Sequence, residues 1–474
     1  MTTTVRTDLG GTVGSAPTTA AGESLLGLVH ISDLHVLDAS SPARAEWVEL
    51  EADDPAFAPL LHMHRPYDTL TAFALHAHVD TIRNNPVAPT SGRPYDLIIS
   101  TGDNIDNAQR NELDAYLALI CGGVARLDAA GSAQDPSATD LGDVWPYWSP
   151  DPEVNDRFRQ RGYPAVEDFV ARASAPISSA GLGMPWTAIP GNHDLMRQGT
   201  ALPNAALDRL AVGASKSLRR PEPFPAGDPV SLYLERPEEF SVGPSYSISP
   251  DAGRRAIDRV EWLQAHIAAG AWGYTDDHLR RPHVDTIIDL DHVRLIMLDT
   301  NHPQGDFDGS IGVDQLAWLD ERLTEVDREV GRVAILASHH GTDTLVNDLG
   351  HPADRRLAAS INEVIHRHRS AIAWLVGHRH INRIESRRGA AGGYWEITTC
   401  STIDFPSQVR AVELLRHRDG TLELACTMLD HADSPDGLAS LHRDLTRRFS
   451  GNRRAEHLAG RDVDRDVRLV VPPR

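Results

Sequence analysis

The chain has 474 residues, a formal net charge of −21 at neutral pH and 41% apolar residues. The length allows up to about three average domains and the apolar share allows a sizeable core, while the acidic balance argues against a surface built for extended nucleic acid. Three cysteines, Cys121, Cys400 and Cys426, give no disulfide framework, and no apolar run reaches the length of a membrane span.

Residues 1–24 are rich in Thr, Gly and Ala and lack the apolar core of a secretory signal. They read as a disordered leader, and the expected location is the cytoplasm. Residues 26–31 form an apolar, strand-like run. An insertion, residues 38–66, follows and ends in Leu61-His62-Met63-His64-Arg65-Pro66. Leu70, Phe73, Ala74, Ala77 and Ile82 recur at helical spacing and predict a helix over 69–83. A strand over 95–100 and a helix over 111–127 come next. A second insertion, 128–183, contains Trp145, Tyr147 and Trp148, which fit packing better than base stacking. The short stretch 186–190 precedes a third insertion, 198–277, with a helix near 258–267.

The second half resumes strands. Residues 286–290 and 294–298 read as an antiparallel pair, and a helix is expected over 313–325. Residues 333–337 and 372–376 read as buried strands. Further strands at 394–399, 410–415 and 422–429 complete the pattern, and no internal repeat is visible. Residues 431–474 read as an amphipathic helix near 437–449 and a charged tail docked on the surface. One catalytic unit over 25–430, carrying three insertions, is the expected organisation. Lys216 is the only lysine amid abundant arginine, as in proteins of high-GC, actinobacterial type.

Five polar clusters stand out: Asp33-Leu34-His35, Gly102-Asp103-Asn104-Ile105-Asp106, Gly191-Asn192-His193-Asp194, Ser338-His339-His340-Gly341 and Gly377-His378-Arg379-His380. Four directly follow strand-like runs; the GNHD cluster follows the 186–190 stretch. Side chains just past the carboxyl ends of neighbouring strands converge in one crevice of a layered sheet. As plausible ligands the clusters offer two carboxylates, an amide and four imidazoles, too many oxygen and nitrogen donors for one ion. They suit two divalent ions sharing a bridging carboxylate. With no thiolate in the set, a cysteine-built structural zinc site is excluded.

The order D-x-H, GD-x-x-D, GNHD, H, GHxH resembles the calcineurin-like metallophosphoesterase superfamily over roughly residues 25–415. The resemblance implies an α/β fold, a four-layer α/β/β/α sandwich of two mixed sheets with loop insertions. It implies that Asp33, His35 and His380 hold one metal, that Asn192, His339 and His378 hold the other, and that Asp103 bridges them. His339 rather than His340 is the implied ligand of its pair. His193 would face the leaving group, with Asp194 orienting its ring. Asp106 stands where purple acid phosphatases carry a metal-binding tyrosine, which argues against a tyrosinate iron site.

The implied activity is hydrolysis of a phosphomonoester or phosphodiester by a metal-bridging hydroxide. The cofactors would be two divalent transition-metal ions, drawn from Mn, Fe, Zn, Co or Ni. The expected partner is a small phosphorylated substrate, without extended nucleic acid or membrane. Cyclic-nucleotide phosphodiesterases share the motif set, but the insertions exceed what those small enzymes carry. A binding module that has lost its chemistry is the alternative of another class, and every position being filled speaks against it. Arg65, His64, Asn107 and His340 are further candidates for substrate contact, against the plainer reading of loop and cap residues.

Overall fold

A computed structural model describes residues 4–9, 22–127, 147–350, 352–389 and 392–473. The principal strands are β1 (Thr4–Arg6), β2 (Glu23–Ile31), β3 (Leu97–Ser100), β4 (Trp186–Ala188), β5 (Thr286–Asp289), β6 (Val293–Leu298) and β7 (Val333–Ser338). They continue as β8 (Ala371–Val376), β9 (Arg383–Arg387), β10 (Tyr394–Thr398), β11 (Gln408–Arg416), β12 (Leu422–Asp430) and β13 (Val467–Val471). The main helices are α1 (Thr71–Asn84), α2 (Arg110–Cys121), α3 (Arg259–Ala268), α4 (Val313–Asp327), α5 (Ala358–Ile365) and α6 (Leu438–Ala459).

These strands form two mixed sheets. One runs β1-β13-β12-β11-β2-β3-β4 and the other β9-β10-β8-β7-β6-β5. In each, the strands that precede the polar clusters pair parallel: β2 with β3, β3 with β4, and β7 with β8. Their carboxyl ends therefore lie at the same edge. Strands of this kind are buried on both faces, which is why they read as unbroken apolar runs rather than alternating ones.

One core lies between the sheets. Leu26, Leu28, Ile99 and Val412 of the first meet Leu295, Ile335, Leu375 and Ile397 of the second. The opposite face of the first sheet, through Val29, Ile31 and Ile98, packs on α1, α2 and α6. The opposite face of the second, through Ile296, Leu336 and Trp374, packs on α4 and α5. Each fully buried aliphatic side chain contributes roughly 1.5–3 kcal/mol, so this packing holds the edge that carries the polar clusters.

The first and third insertions are ordered together. Trp47, Phe57 and Met63 from one share a small core with Ala201, Tyr233 and Phe240 from the other. Trp148 packs in the main core beside Tyr163 and Phe169, and Tyr147 is buried against His64. Trp145 lies outside the described residues.

Several sequence-based expectations need correction at the chain ends. Thr4–Arg6, assigned above to a disordered leader, forms β1 and pairs parallel with β13. The charged tail is not a surface extension: β13 pairs antiparallel with β12 and completes the first sheet. Its Val467, Leu469 and Val471 are fully buried and belong to the core between the sheets. The C-terminal helix extends past 449 to Ala459, with a non-helical break at Gly451. The helix predicted to reach 127 stops at Cys121, where Gly122 takes a positive φ. Among the described residues no helix is long and apolar enough to cross a membrane.

Candidate metal centre

The loops after β2 and β3 are zipped together. Asp33 N donates to Gly102 O at 3.0 Å, and Leu34 N and His35 N donate to Asp103 O at 2.7 and 2.9 Å. Gly191 allows the third loop to close on them, because a Cβ there would collide with the Asp103 backbone and carboxylate. The contorted backbone this requires is visible residue by residue. Asp33, His35, Asp103, His378 and His380 all take positive φ, between 43° and 65°. Non-glycine residues are uncommon there, and such strained positions cluster at functional sites.

The donor atoms converge. Asp33, His35 and His380 bring one ligand atom each within 4.8 Å of one another, as do Asp33, Asp103 and His339. Asn192 joins through Oδ1, 2.9 Å from His339 Nε2, while its Nδ2 donates to Gly199 O at 2.9 Å. That second bond turns the amide oxygen inward.

The far nitrogens of these imidazoles are already committed. His35 Nδ1 donates to Asp106 at 3.0 Å, His339 Nδ1 to Thr101 O at 2.8 Å, and His380 Nδ1 to Asp404 at 2.7 Å. Fixing one ring nitrogen aims the other, as around bound metals. Among the described residues the buried His35 Nε2 has no hydrogen-bond partner. A neutral His339 offers only a lone pair at Nε2. That atom faces Asn192 Oδ1, Asp103 Oδ2 at 3.1 Å and His378 Nδ1 at 3.2 Å. Such a cluster is relieved by a proton on His339 or by a cation among the donors, and imidazole, carboxylate and amide donors fit divalent ions.

Without a metal, protons on the imidazoles supply the positive charge. Burial alone would raise the Asp33 and Asp103 carboxyls, but the facing imidazoles, His380 and His339 respectively, outweigh it and hold both below the usual range. Burial would lower His339 and His380. Instead Asp103 raises His339 to about 9, and Asp33 with Asp404 raises His380 to about 9. In His35 burial prevails, with His193 beside it, and its pKa falls to about 4.

The remaining expected residues separate. His193 sits at the mouth, with 21% of its side chain exposed, and its Nδ1 donates to the Asp106 carbonyl at 3.0 Å. Asp194 does not orient it. At the third position of the 192–195 turn its carboxylate folds back to accept from Gly191 N at 2.8 Å and from Asn104 N at 3.1 Å. Asp106, 3.1 Å from His193 Nδ1, is the carboxylate beside that ring. His340 lies against His339 and His378, but its Nε2 donates to Phe307 O and its Nδ1 bonds Thr300 Oγ1, so both nitrogens are taken.

His64 is 1% exposed and packs on Tyr147, so its side chain is closed off from solvent. Asn107 is buried and donates to Asp106 and Glu112 at 3.1 Å, so it does not line the opening. Arg65 is 13% exposed and grips Asp404 with Nε and Nη2 at 3.1 and 3.3 Å. Asp404 escaped the sequence reading. It lies in the loop between β10 and β11 and matches none of the five clusters.

Over residues 26–382 the sequence matches the family model for calcineurin-like phosphoesterases, and the chain belongs to that family. It is a metal-dependent phosphoester hydrolase that uses divalent ions. No curated protein sequence matches it significantly. Among solved structures it is similar to a dimetal phosphatase from Danio rerio, with 13% identity, a TM-score of 0.40, and coverage of 86% of this chain and 100% of that one. It is similar to a sulfate thiohydrolase from Thermus thermophilus, with 12% identity, a TM-score of 0.35, and coverage of 89% of this chain and 60% of that one. A 5'-nucleotidase from Candida albicans follows, with 10% identity, a TM-score of 0.33, and coverage of 90% of this chain and 57% of that one. Likenesses this remote carry no argument about substrate.

Proposed function

We propose that this calcineurin-like phosphoesterase hydrolyses a small phosphomonoester or phosphodiester at a two-ion centre. Asp33, His35 and His380 would hold one ion, Asn192, His339 and His378 would hold the other, and Asp103 would serve both. The observation that carries this reading is His339 Nε2, crowded by Asn192 Oδ1, Asp103 Oδ2 and His378 Nδ1. When bound, such ions would lower the pKa of a shared water towards neutrality and neutralise the phosphoryl oxygens. The ions come from Mn, Fe, Zn, Co or Ni, because the donors are imidazole, carboxylate and amide.

The chain's own side chains do the rest. His193, held through Nδ1 and exposed at the mouth, presents its other nitrogen to the leaving oxygen and donates the proton it needs. Arg65 is joined to His380 through Asp404 and is the arginine proposed to meet a phosphoryl oxygen. The insertions around residues 38–66 and 198–277 pack on each other and reach the site through Arg65 and Gly199, which makes them the candidates for setting which substrates bind.

Protein stripped of metal and reloaded with single ions should be assayed on a panel of aryl phosphomonoesters and phosphodiesters. Turnover should vanish on stripping and return with one or more of the five metals. Full turnover by metal-free protein would contradict the reading.

A further inference from the structure

One carboxylate serves two imidazoles at the edge of the metal centre. Asp106 Oδ1 lies 3.0 Å from His35 Nδ1 and 3.1 Å from His193 Nδ1, which also donates to the Asp106 main-chain O at 3.0 Å. The two rings meet edge to face, with centroids 4.5 Å apart. The other oxygen, Asp106 Oδ2, accepts from Asn107 Nδ2 at 3.1 Å and from Arg44 Nη1.

Arg44 comes from the first insertion, 62 positions away. It is 2% exposed. Its Nε donates to Glu46 at 2.8 Å, and its Nη2 donates to Asp68 at 2.5 Å and to Met63 O at 3.2 Å. Glu46 is paired in turn with Lys216 at 2.8 Å. A planar guanidinium presents these donors in a fixed fork, which an ammonium cannot reproduce. The fork is therefore locked on three sides, and its remaining arm points at Asp106.

We propose that Arg44 is a positioning residue of the hydrolytic site. It fixes Asp106 so that Oδ1 holds His35 and, together with the Asp106 main-chain O, holds His193, and so sets the aim of His193 at the leaving oxygen. This deepens, and rests on, the reading of His193 as leaving-group acid. It also gives the first insertion a role in the chemistry, beyond setting which substrates bind.

The test uses the full chain loaded with zinc, which is diamagnetic, in wild-type, Arg44→Lys and Asp106→Asn forms. The first readout does not depend on turnover. Ring N–H protons bonded to a carboxylate give downfield proton resonances, assigned here by their loss in His35→Ala and His193→Ala. Arg44→Lys should shift or erase the His193 resonance while zinc content stays at the wild-type level. The second readout compares an activated aryl ester with an alkyl ester. The kcat of Arg44→Lys should fall by about tenfold or more on the alkyl ester, inside the roughly 10²–10⁴-fold that general acid catalysis supplies. It should fall little on the aryl ester, with KM unchanged on both. Added to His193→Ala, Arg44→Lys should cost nothing further, because the two act as a unit.

Unchanged resonances would overturn the proposal. So would equal losses on both esters that add to those of His193→Ala, since that is what a purely structural arginine gives. If the resonance moves but His193→Ala itself shows no dependence on the leaving group, the positioning role stands and the acid assignment falls. Should Arg44→Lys fail to fold, Asp106→Asn carries the test from the other side of the contact. It must perturb both the His35 and His193 resonances, and leaving both unchanged would overturn the proposal.

Discussion

His380 Nδ1 lies 2.7 Å from Asp404, and its Nε2 lies 3.3 Å from Asp33. The imidazole is thus strung between a carboxylate of the centre and one behind it. Asp404 is itself clamped by Arg65 and by the Tyr67 hydroxyl. An imidazole held this way keeps its ring oriented and its outward nitrogen basic.

Asp404→Asn should therefore weaken metal binding by about 10–100-fold, the usual cost of losing such a partner. Competition with a chelator of known affinity measures it. The substitution is isosteric, so Arg65 and Tyr67 keep a neighbour and the fold should survive. Wild-type affinity would show that the His380–Asp404 bond does not tune the site.

His193→Ala should keep both metals and lose rate according to the leaving group. An activated aryl ester departs as an anion, so its loss is modest. An alkyl ester needs a proton, and the loss should approach the roughly 10²–10⁴-fold that general acid catalysis supplies. Metal analysis beside kcat for both esters decides the matter. Loss of a metal would make His193 a ligand.

Metal dependence of stability should grow with pH. In the metal-free chain the His339 and His380 pKa values are raised to about 9. Their ion pairs stabilise the fold fully below the ordinary histidine pKa, and that contribution is lost as pH rises through about 9. Metal binding needs both rings neutral and so releases protons, and its affinity rises over the same interval. The melting temperature with metal minus that with chelator should increase from pH 6 to pH 9. At free metal 100 times Kd the stabilisation is about 2.7 kcal/mol. A difference that shrinks with pH would contradict the ion pairing described here.

What the sequence made legible follows from periodicity. The buried parallel strands announce themselves as apolar runs, and each polar cluster follows one, even GNHD, whose 186–190 stretch contains β4. Asp404 and Arg44 were not legible in this way. Each reaches its histidine partner, directly or through Asp106, by a loop whose path the local sequence does not encode. Asp194 misled because adjacency in sequence suggested contact with His193, whereas the turn directs its carboxylate back to Gly191 N. The tail misled because Arg465, Asp466 and Arg468 mask an inward alternation of Val467, Leu469 and Val471.

The central claim is that Asp103 bridges two ions. Anomalous scattering from crystals of the metal-loaded protein tests it most directly, with Asn192→Ala and Asp103→Asn as companions that should lose turnover without unfolding. Two anomalous peaks about 3.5–4 Å apart are expected, with Asp103 touching both. A well-ordered metal-loaded crystal in which Asp103 contacts no metal would contradict it.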